Sequence, residues 1–155
     1  MPHEQVSVLE LAQEAARSLT AQAAAQAVHI SVTGTAGTVF GVRRLLYEIA
    51  RNLCENAVKY NVPGGSVTVE VAETDRDVTL LVRDTGIGIP EGDQSRVFER
   101  FYRVDKSHSR AIGGTGLGLS IVKHAVAYHH GTLRLESQPG KGTVITVTLP
   151  KEPTE

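Results

Sequence analysis

Two glycine clusters set the terms on which this chain can fold. The first, DTGIGIP, begins at Asp84, and the second, GGTGLGLSIVK, begins at Gly113. Runs so rich in glycine have little conformational preference of their own, and ordering them costs entropy that an ordinary connection avoids. The stretch between them is too polar for a core and too basic for a neutral spacer. Between Ser95 and Arg110, Arg96, Arg100, Arg103, Lys106 and Arg110 stand against Glu99 and Asp105. Phe98, Phe101 and Tyr102 give one end an apolar anchor. A basic segment anchored by aromatics and ending in glycines can close over a bound anion and reopen. The pattern implies a nucleotide pocket with a lid at about residues 90–114.

The remaining chain reads as the scaffold for that pocket. Alternation of apolar and polar residues predicts strands over 29–35, 66–71, 78–84, 132–137 and 143–150, with a short opening strand at 5–8. Ala12, Ala16, Leu19, Ala23 and Ala27 recur at helical steps and predict a helix over 9–27. A second helix, over 38–60, carries Val42, Leu45, Leu46, Ile49, Leu53 and Ala57 as one apolar stripe. A third, over 115–128, is opened by the second glycine cluster and turns Leu119, Val122, Ala125, Val126 and His129 to one side. Helices on one face of a mixed sheet bury all these stripes, giving an α/β sandwich. The other sheet face is then either covered or more polar. The 155 residues suit a single domain over 1–155.

Composition excludes several classes. A net charge of −1 argues against non-specific nucleic-acid binding. Cys54 stands alone, so no internal disulfide forms, and in a helical pattern it reads as a small buried hydrophobe. No apolar run approaches the roughly 18–20 residues of a membrane span, and MPHEQVSV is no signal peptide. The expectation is a soluble, cytoplasmic piece without direct membrane contact, compatible with a membrane-anchored parent.

On the helix over 38–60, Asn52, Asn56 and Lys59 fall on the border between the apolar and solvated faces, with Tyr60 one step further round. A single asparagine there more often bonds a nearby loop. Two, one turn apart, suit a different role. An amide oxygen is a hard neutral ligand, and magnesium usually takes one or two protein oxygens while phosphates and waters supply the rest. Lys59 adds a point charge for a phosphate, and Tyr60 a ring and a hydroxyl. Asp84 ends a strand before a glycine, where Asp commonly caps a turn. The alternative is an acceptor for the exocyclic amine of adenine, with Gly86 and Gly88 letting the base approach and Ile87 and Ile89 walling an apolar slot. Gly113, Gly114, Gly116 and Gly118 precede a helix, and N–H groups converging at a helix start bind phosphate. The G-x-G-x-G spacing is neither a Rossmann fingerprint nor a P-loop. GKGT at 140–143 reads as a hairpin turn from which Thr143 can face the base.

Together these residues resemble the ATP-binding catalytic domain of bacterial sensor histidine kinases, in the superfamily shared with gyrase, heat-shock chaperone and MutL-type ATPases. RNLCENAVKYN is similar to the N box, DTGIGIP to the first G box, FERFYRVD to the F box and GGTGLGLSIVK to the second G box. The resemblance implies a mixed, mostly antiparallel five-stranded sheet under three helices, which leaves the opening strand as one extra. It implies ATP and Mg2+ as ligands, with Asn56 on the magnesium and Asn52 as the second N-box asparagine. Asn52 and Arg103 become the catalytic candidates, Arg103 for charge stabilisation. Lys59, Tyr60, Tyr102 and Arg103 are the phosphate and nucleotide contacts, Asp84, Gly86, Gly88 and Ile89 the adenine wall, and Thr115, Gly116, Leu117, Gly118 and Leu119 the phosphate-binding helix start.

The departure from the family is the phosphoacceptor. Its histidine lies in a dimerisation helix in a context like H-E-x-x-T-P, and His3-Glu4 is followed by Gln5-Val6-Ser7-Val8 instead. The expectation is a monomeric catalytic fragment that acts on a histidine of a separate dimerisation domain, for relay to a response regulator. An ATP-gated dimerisation module of the gyrase or chaperone kind, an anti-sigma-type serine kinase and a silent nucleotide-binding adaptor are the competing readings. The first is disfavoured because Asn52 stands where those ATPases place a catalytic Glu.

Overall fold

The computed structural model describes residues 2–99 and 118–152. A five-stranded sheet runs in the order β2-β4-β5-β7-β6, formed by His29–Gly34, Ser66–Glu73, Asp77–Asp84, Gly142–Pro150 and Thr132–Gln138 respectively. Only β2 and β4 pair in parallel; the other pairs are antiparallel. The inner face is built by alternate residues, Val67, Val69 and Val71 on β4, Val78, Leu80 and Val82 on β5, and Ile145, Val147 and Leu149 on β7, all buried. The outer face carries Thr68, Glu70, Arg83, Thr146 and Thr148, with Arg83 and Glu70 3.9 Å apart. That face is more polar than the inner one, although Leu81 and Val144 also stand on it.

Helices cover the inner face. Helix α3 (Arg43–Lys59) lies between α1 (Val8–Ser18) and α4 (Gly118–Tyr128). Its buried stripe is Leu46, Ile49, Ala50, Leu53, Cys54, Ala57 and Val58, wider than the periodicity predicts by Ala50, Cys54 and Val58. Cys54 is buried as expected, and desolvation pushes its thiol up to about 12. Among the described residues no helix is long and apolar enough to cross a membrane.

Two predicted helices begin or end differently. The helix expected over 9–27 breaks at Leu19, leaving α1 and a short α2 (Thr20–Ala25). Ser18 Oγ donates to the Ala15 carbonyl at 2.7 Å and Thr20 Oγ1 to that of Arg17 at 3.0 Å. Such back-bonds compete with the helical ladder and favour a turn. The helix expected from 38 starts only at Arg43. Thr38–Gly41 is instead a strand, β3, paired antiparallel with β1 (Glu4–Ser7). The extra opening strand therefore belongs to a separate two-stranded sheet.

The turn into β2 is strained at Ala27, which holds φ 55. A Cβ in left-handed backbone costs roughly 1–2 kcal/mol, partly offset by the greater unfolded-state entropy of glycine. Ala27 is exposed on its helix-end turn, so its methyl packs little. Ala27→Gly should raise stability by about 0.5–1 kcal/mol, read from denaturant melts. An unchanged or lower midpoint would show that the turn is not strained.

Candidate nucleotide site

The polar residues of α3 lie in its C-terminal half. Asn52 Nδ2 donates to the Glu48 carbonyl at 2.8 Å, and Asn56 Nδ2 to that of Asn52 at 3.1 Å. With each amide nitrogen tied back to the helix, the oxygens are the atoms free to turn from it. Both side chains meet the start of α4: a Cβ on Gly118 would lie 3.1 Å from Asn52 Oδ1 and 3.4 Å from Asn56 Nδ2. The end of the second glycine cluster thus packs directly on the asparagine pair. Leu119 follows, half-buried against the core. Lys59 ends the helix and Tyr60 caps it, both half-buried.

Beyond Tyr60 the chain meets the first glycine cluster. The Ile87 N–H donates to the Tyr60 carbonyl at 3.0 Å. Gly86 lies so close to that carbonyl that a Cβ would collide with it, and the same Cβ would stand 3.0 Å from Asp84 Oδ1. Gly88 has φ 74, and a Cβ there would strike the Gln138 carbonyl of the β6–β7 hairpin. The hairpin holds the loop in return: the Gly140 N–H donates to the Ile87 carbonyl at 2.7 Å, and the Ile89 N–H donates to Ser137 Oγ at 2.8 Å.

Asp84 stands at the centre of this end of the sheet, paired with Val67 on one side and Thr143 on the other. Desolvation raises its carboxyl from the ordinary 3.8 to about 6, and the Gly86 and Thr143 N–H groups restrain that rise. Gly86 donates to Oδ1 at 2.9 Å. Thr143 is itself buried, its hydroxyl 2.8 Å from Ser137 Oγ. A largely buried carboxyl with its lone pairs partly used can still accept from an amine. A groove of about 540 Å³ adjoins it, bordered by Asp84, Gln94, Ser137 and Thr143, and by Arg83 and Glu136 of the outer face. Because it takes in that face, it wraps the sheet end and does not outline the gap between Asp84 and the asparagines.

The structure thus joins Asn52 and Asn56 to Gly118, and Tyr60 to the loop of Asp84, Gly86, Gly88 and Ile89, which Thr143 and the hairpin hold from the other side, while Lys59 and Leu119 adjoin these residues in sequence. Tyr102, Arg103, Thr115, Gly116 and Leu117 lie outside the described residues. Other residues that hold the site together are invisible to pattern reading. Gln94 Nε2 donates to the Ile89 and Ser137 carbonyls at 2.9 and 3.0 Å. Thr85 Oγ1 donates to Asn61 Oδ1 at 3.2 Å and Asn61 Nδ2 to the Ser66 carbonyl at 3.0 Å, joining the α3 end to β4 and β5. The one sequence cue is Asn61, at the edge of the NVPGG turn.

A family profile described as "Histidine kinase-, DNA gyrase B-, and HSP90-like ATPase" matches residues 41–153, from the end of β3 through the final strand. The chain belongs to this family. Its relatives within this ATPase family include sensor histidine kinases. It is 47% identical to the sensor-like histidine kinase SenX3 of Mycolicibacterium smegmatis over 84% of this chain and 35% of that protein. The mycobacterial sensor histidine kinase MprB superposes with a TM-score of 0.83 at 34% identity, over 98% of this chain and 99% of that one. Full-length ShkA, solved in complex with AMPPNP, gives 0.82 at 26% identity over 96% of this chain and 31% of that one. The chain is thus a histidine kinase ATP-binding catalytic domain of the ATPase family, spanning about a third of the length of its curated relative SenX3.

Proposed function

We propose that this domain binds ATP with Mg2+ and delivers the γ-phosphate to a histidine on a separate dimerisation domain, from which it passes to an aspartate of a response regulator. The observations that support the reading are the contact of Gly118 with the Asn52–Asn56 pair and the closure of the Asp84 loop onto Tyr60, at the end of the same helix. Two comparisons support it: the likeness to MprB and the AMPPNP complex of ShkA. The parent would be a sensor kinase with this domain on its cytoplasmic side.

In this reading Asp84 accepts from the exocyclic amine of adenine, and Ile89 and Thr143 line the base. Gly86 and Gly88 keep the wall free of side chains. Lys59 and Tyr60 contact the nucleotide at the end of α3, and the Gly118–Leu119 start of α4 presents N–H groups to phosphate. The oxygen of Asn56 suits Mg2+, a cation that takes few protein oxygens and leaves the rest to phosphate and water, with Asn52 as the second asparagine of the pair. Bound there, the ion would offset triphosphate charge. Tyr102, Arg103, Thr115, Gly116 and Leu117 would complete the phosphate contacts, with Arg103 stabilising charge during transfer. The acceptor imidazole nitrogen attacks the γ-phosphorus, the bond to the β,γ-bridging oxygen breaks and ADP leaves. The imidazole proton is then lost to solvent. Catalysis of this kind rests on positioning and charge stabilisation.

Calorimetric titration with ATP and GTP, each with and without Mg2+, tests the pocket. Adenine-selective, magnesium-dependent binding is expected; equal binding of GTP, or none of either, would overturn the reading. Transfer of labelled phosphate from ATP to an added dimerisation domain, in acid-labile form, tests the chemistry. Acid-stable label on serine would mark a serine kinase. Asn56→Ala should weaken ATP binding about tenfold or more when Mg2+ is present and leave the affinity in chelator nearly unchanged. Equal losses in both conditions would remove Asn56 as a metal ligand.

A further inference from the structure

Helix α4 ends at a histidine with no part in the nucleotide site. His129 is buried, directly after Tyr128, and both ring nitrogens have backbone partners. Nδ1 lies 2.8 Å from the Ala125 carbonyl, and Nε2 lies 3.1 Å from the Val42 nitrogen. The partners fix the tautomer. A carbonyl only accepts and a backbone N–H only donates, so Nδ1 carries the proton and Nε2 is bare. Val42 is the residue that caps the start of α3, where no side chain serves as cap. The ring rests on Gly41, where a Cβ would stand 2.6 Å from Nε2 and Cδ2. Tyr128 meets it edge-on at 5.2 Å.

The two helices joined here also meet at their other ends, where Gly118 abuts Asn52 and Asn56. They run antiparallel, so the bond at Val42 fixes how far α4 slides along α3. We propose that neutral His129 is a positioning residue, the pin that sets α4 against α3 and thereby holds Gly118 in place beside Asn52 and Asn56. The functional weight of this pin rests on the proposed nucleotide reading; the pin itself does not.

Only the neutral ring can do this, since an imidazolium has no acceptor for the Val42 N–H. Desolvation lowers the proton affinity of His129, the Ala125 carbonyl partly opposes that, and His3 and His130 reinforce it. Arg43, which follows Val42 at the start of α3, is paired with Glu4 of β1 at 3.4 Å. A histidine whose folded proton affinity is depressed contributes stability that is present above its ordinary value and lost as pH falls through the depressed one. The pin therefore holds at neutral pH and releases in acid.

Three variants and one spectrum test this. A long-range 1H–15N spectrum of the empty wild-type domain should show His129 as the Nδ1–H tautomer at pH 7. His129→Gln offers an amide oxygen in place of Nε2 and should keep Mg-ATP affinity within about threefold. His129→Leu and His129→Phe fill the space without an acceptor. They should shift the Asn52 and Asn56 side-chain amide signals and lower Mg-ATP affinity about fivefold or more, the lower range of coupling between linked sites. Should both apolar variants fail to fold, wild type against His129→Gln decides. On acidification the Asn52 and Asn56 signals should move further in wild type than in His129→Gln, with the titration of Asp84 common to both. The pin is refuted by an Nε2–H or charged ring at pH 7, by Asn signals that move alike in wild type and His129→Gln, or by apolar variants that bind as wild type does. A wild-type domain that binds no ATP would overturn the nucleotide reading alone, since the signals of the empty protein still report the pin.

Discussion

Replacing Asp84 with asparagine should stabilise the empty domain and weaken the loaded one. Asp84 holds its proton more tightly folded than unfolded, because burial disfavours the carboxylate. Its contribution to stability is therefore fully present below the unfolded value of 3.8 and lost as pH rises through about 6. At neutral pH the ionised side chain is a liability to the fold. The gap between the two values corresponds to at most about 3 kcal/mol, which residual solvent contact reduces to roughly 1–2 kcal/mol. Asparagine has no charge to bury and keeps an acceptor for the Gly86 N–H. The midpoint of thermal unfolding should rise at pH 7.5, and the gain should shrink at pH 5, where wild-type Asp84 is protonated. ATP should respond in the opposite sense, losing about 1–3 kcal/mol of binding as a charged acceptor is exchanged for a neutral amide. Wild-type affinity should fall as pH drops below about 6, and that of Asp84→Asn should not follow. A variant that melts lower than wild type at pH 7.5 would show that the buried charge is compensated by the fold. One with unaltered ATP affinity would remove Asp84 from the adenine site.

This opposition explains why the chemistry of the site is easier to read from sequence than its architecture. Asp84, Gly86 and Gly88 are contiguous, as are Asn52, Asn56, Lys59 and Tyr60 within one helix. Their residue types point to chemistry wherever the backbone goes. The stripe of α3 and the alternation in β4, β5 and β7 are likewise local, and those elements stand where their periods put them. Sequence and structure part where local pattern and tertiary pairing disagree. Alanines continue helically through Leu19, yet Ser18 and Thr20 turn their hydroxyls onto carbonyls and end α1. Thr38–Gly41 precedes an unbroken apolar stripe and reads as its first turn, but Val39 is paired with Val6 of β1. What clasps the site is hidden for the same reason. Ser137 to Ile89, Gln94 to Ser137, Thr85 to Asn61 and His129 to Val42 each join segments far apart in sequence. No period or motif announces such pairs.

The clasp at Gly86 is where a single atom should do most damage. A Cβ there would meet the Tyr60 carbonyl, Asn61 Cα at 3.0 Å and Asp84 Oδ1 at 3.0 Å. The first two are backbone, so no rotamer change relieves the overlap. Either the loop lifts from the end of α3, breaking the bond from the Ile87 N–H to Tyr60, or α3 shifts and carries Lys59 and Tyr60 with it. Overpacking a tight contact of this kind costs about 1–3 kcal/mol. Gly86→Ala should therefore lower stability by that amount. On the proposed nucleotide reading it should reduce ATP affinity further than the stability loss accounts for, because the spacing between Asp84 and the α3 residues would change. Gly92→Ala is the matched control: Gly92 has ordinary backbone, and an added methyl there would meet nothing within 4 Å. Equal behaviour of the two variants in melting and ATP titration would mean that the loop is free to move without consequence. A large loss confined to Gly86→Ala would mean that the Asp84 loop and the asparagine helix function as one rigid piece.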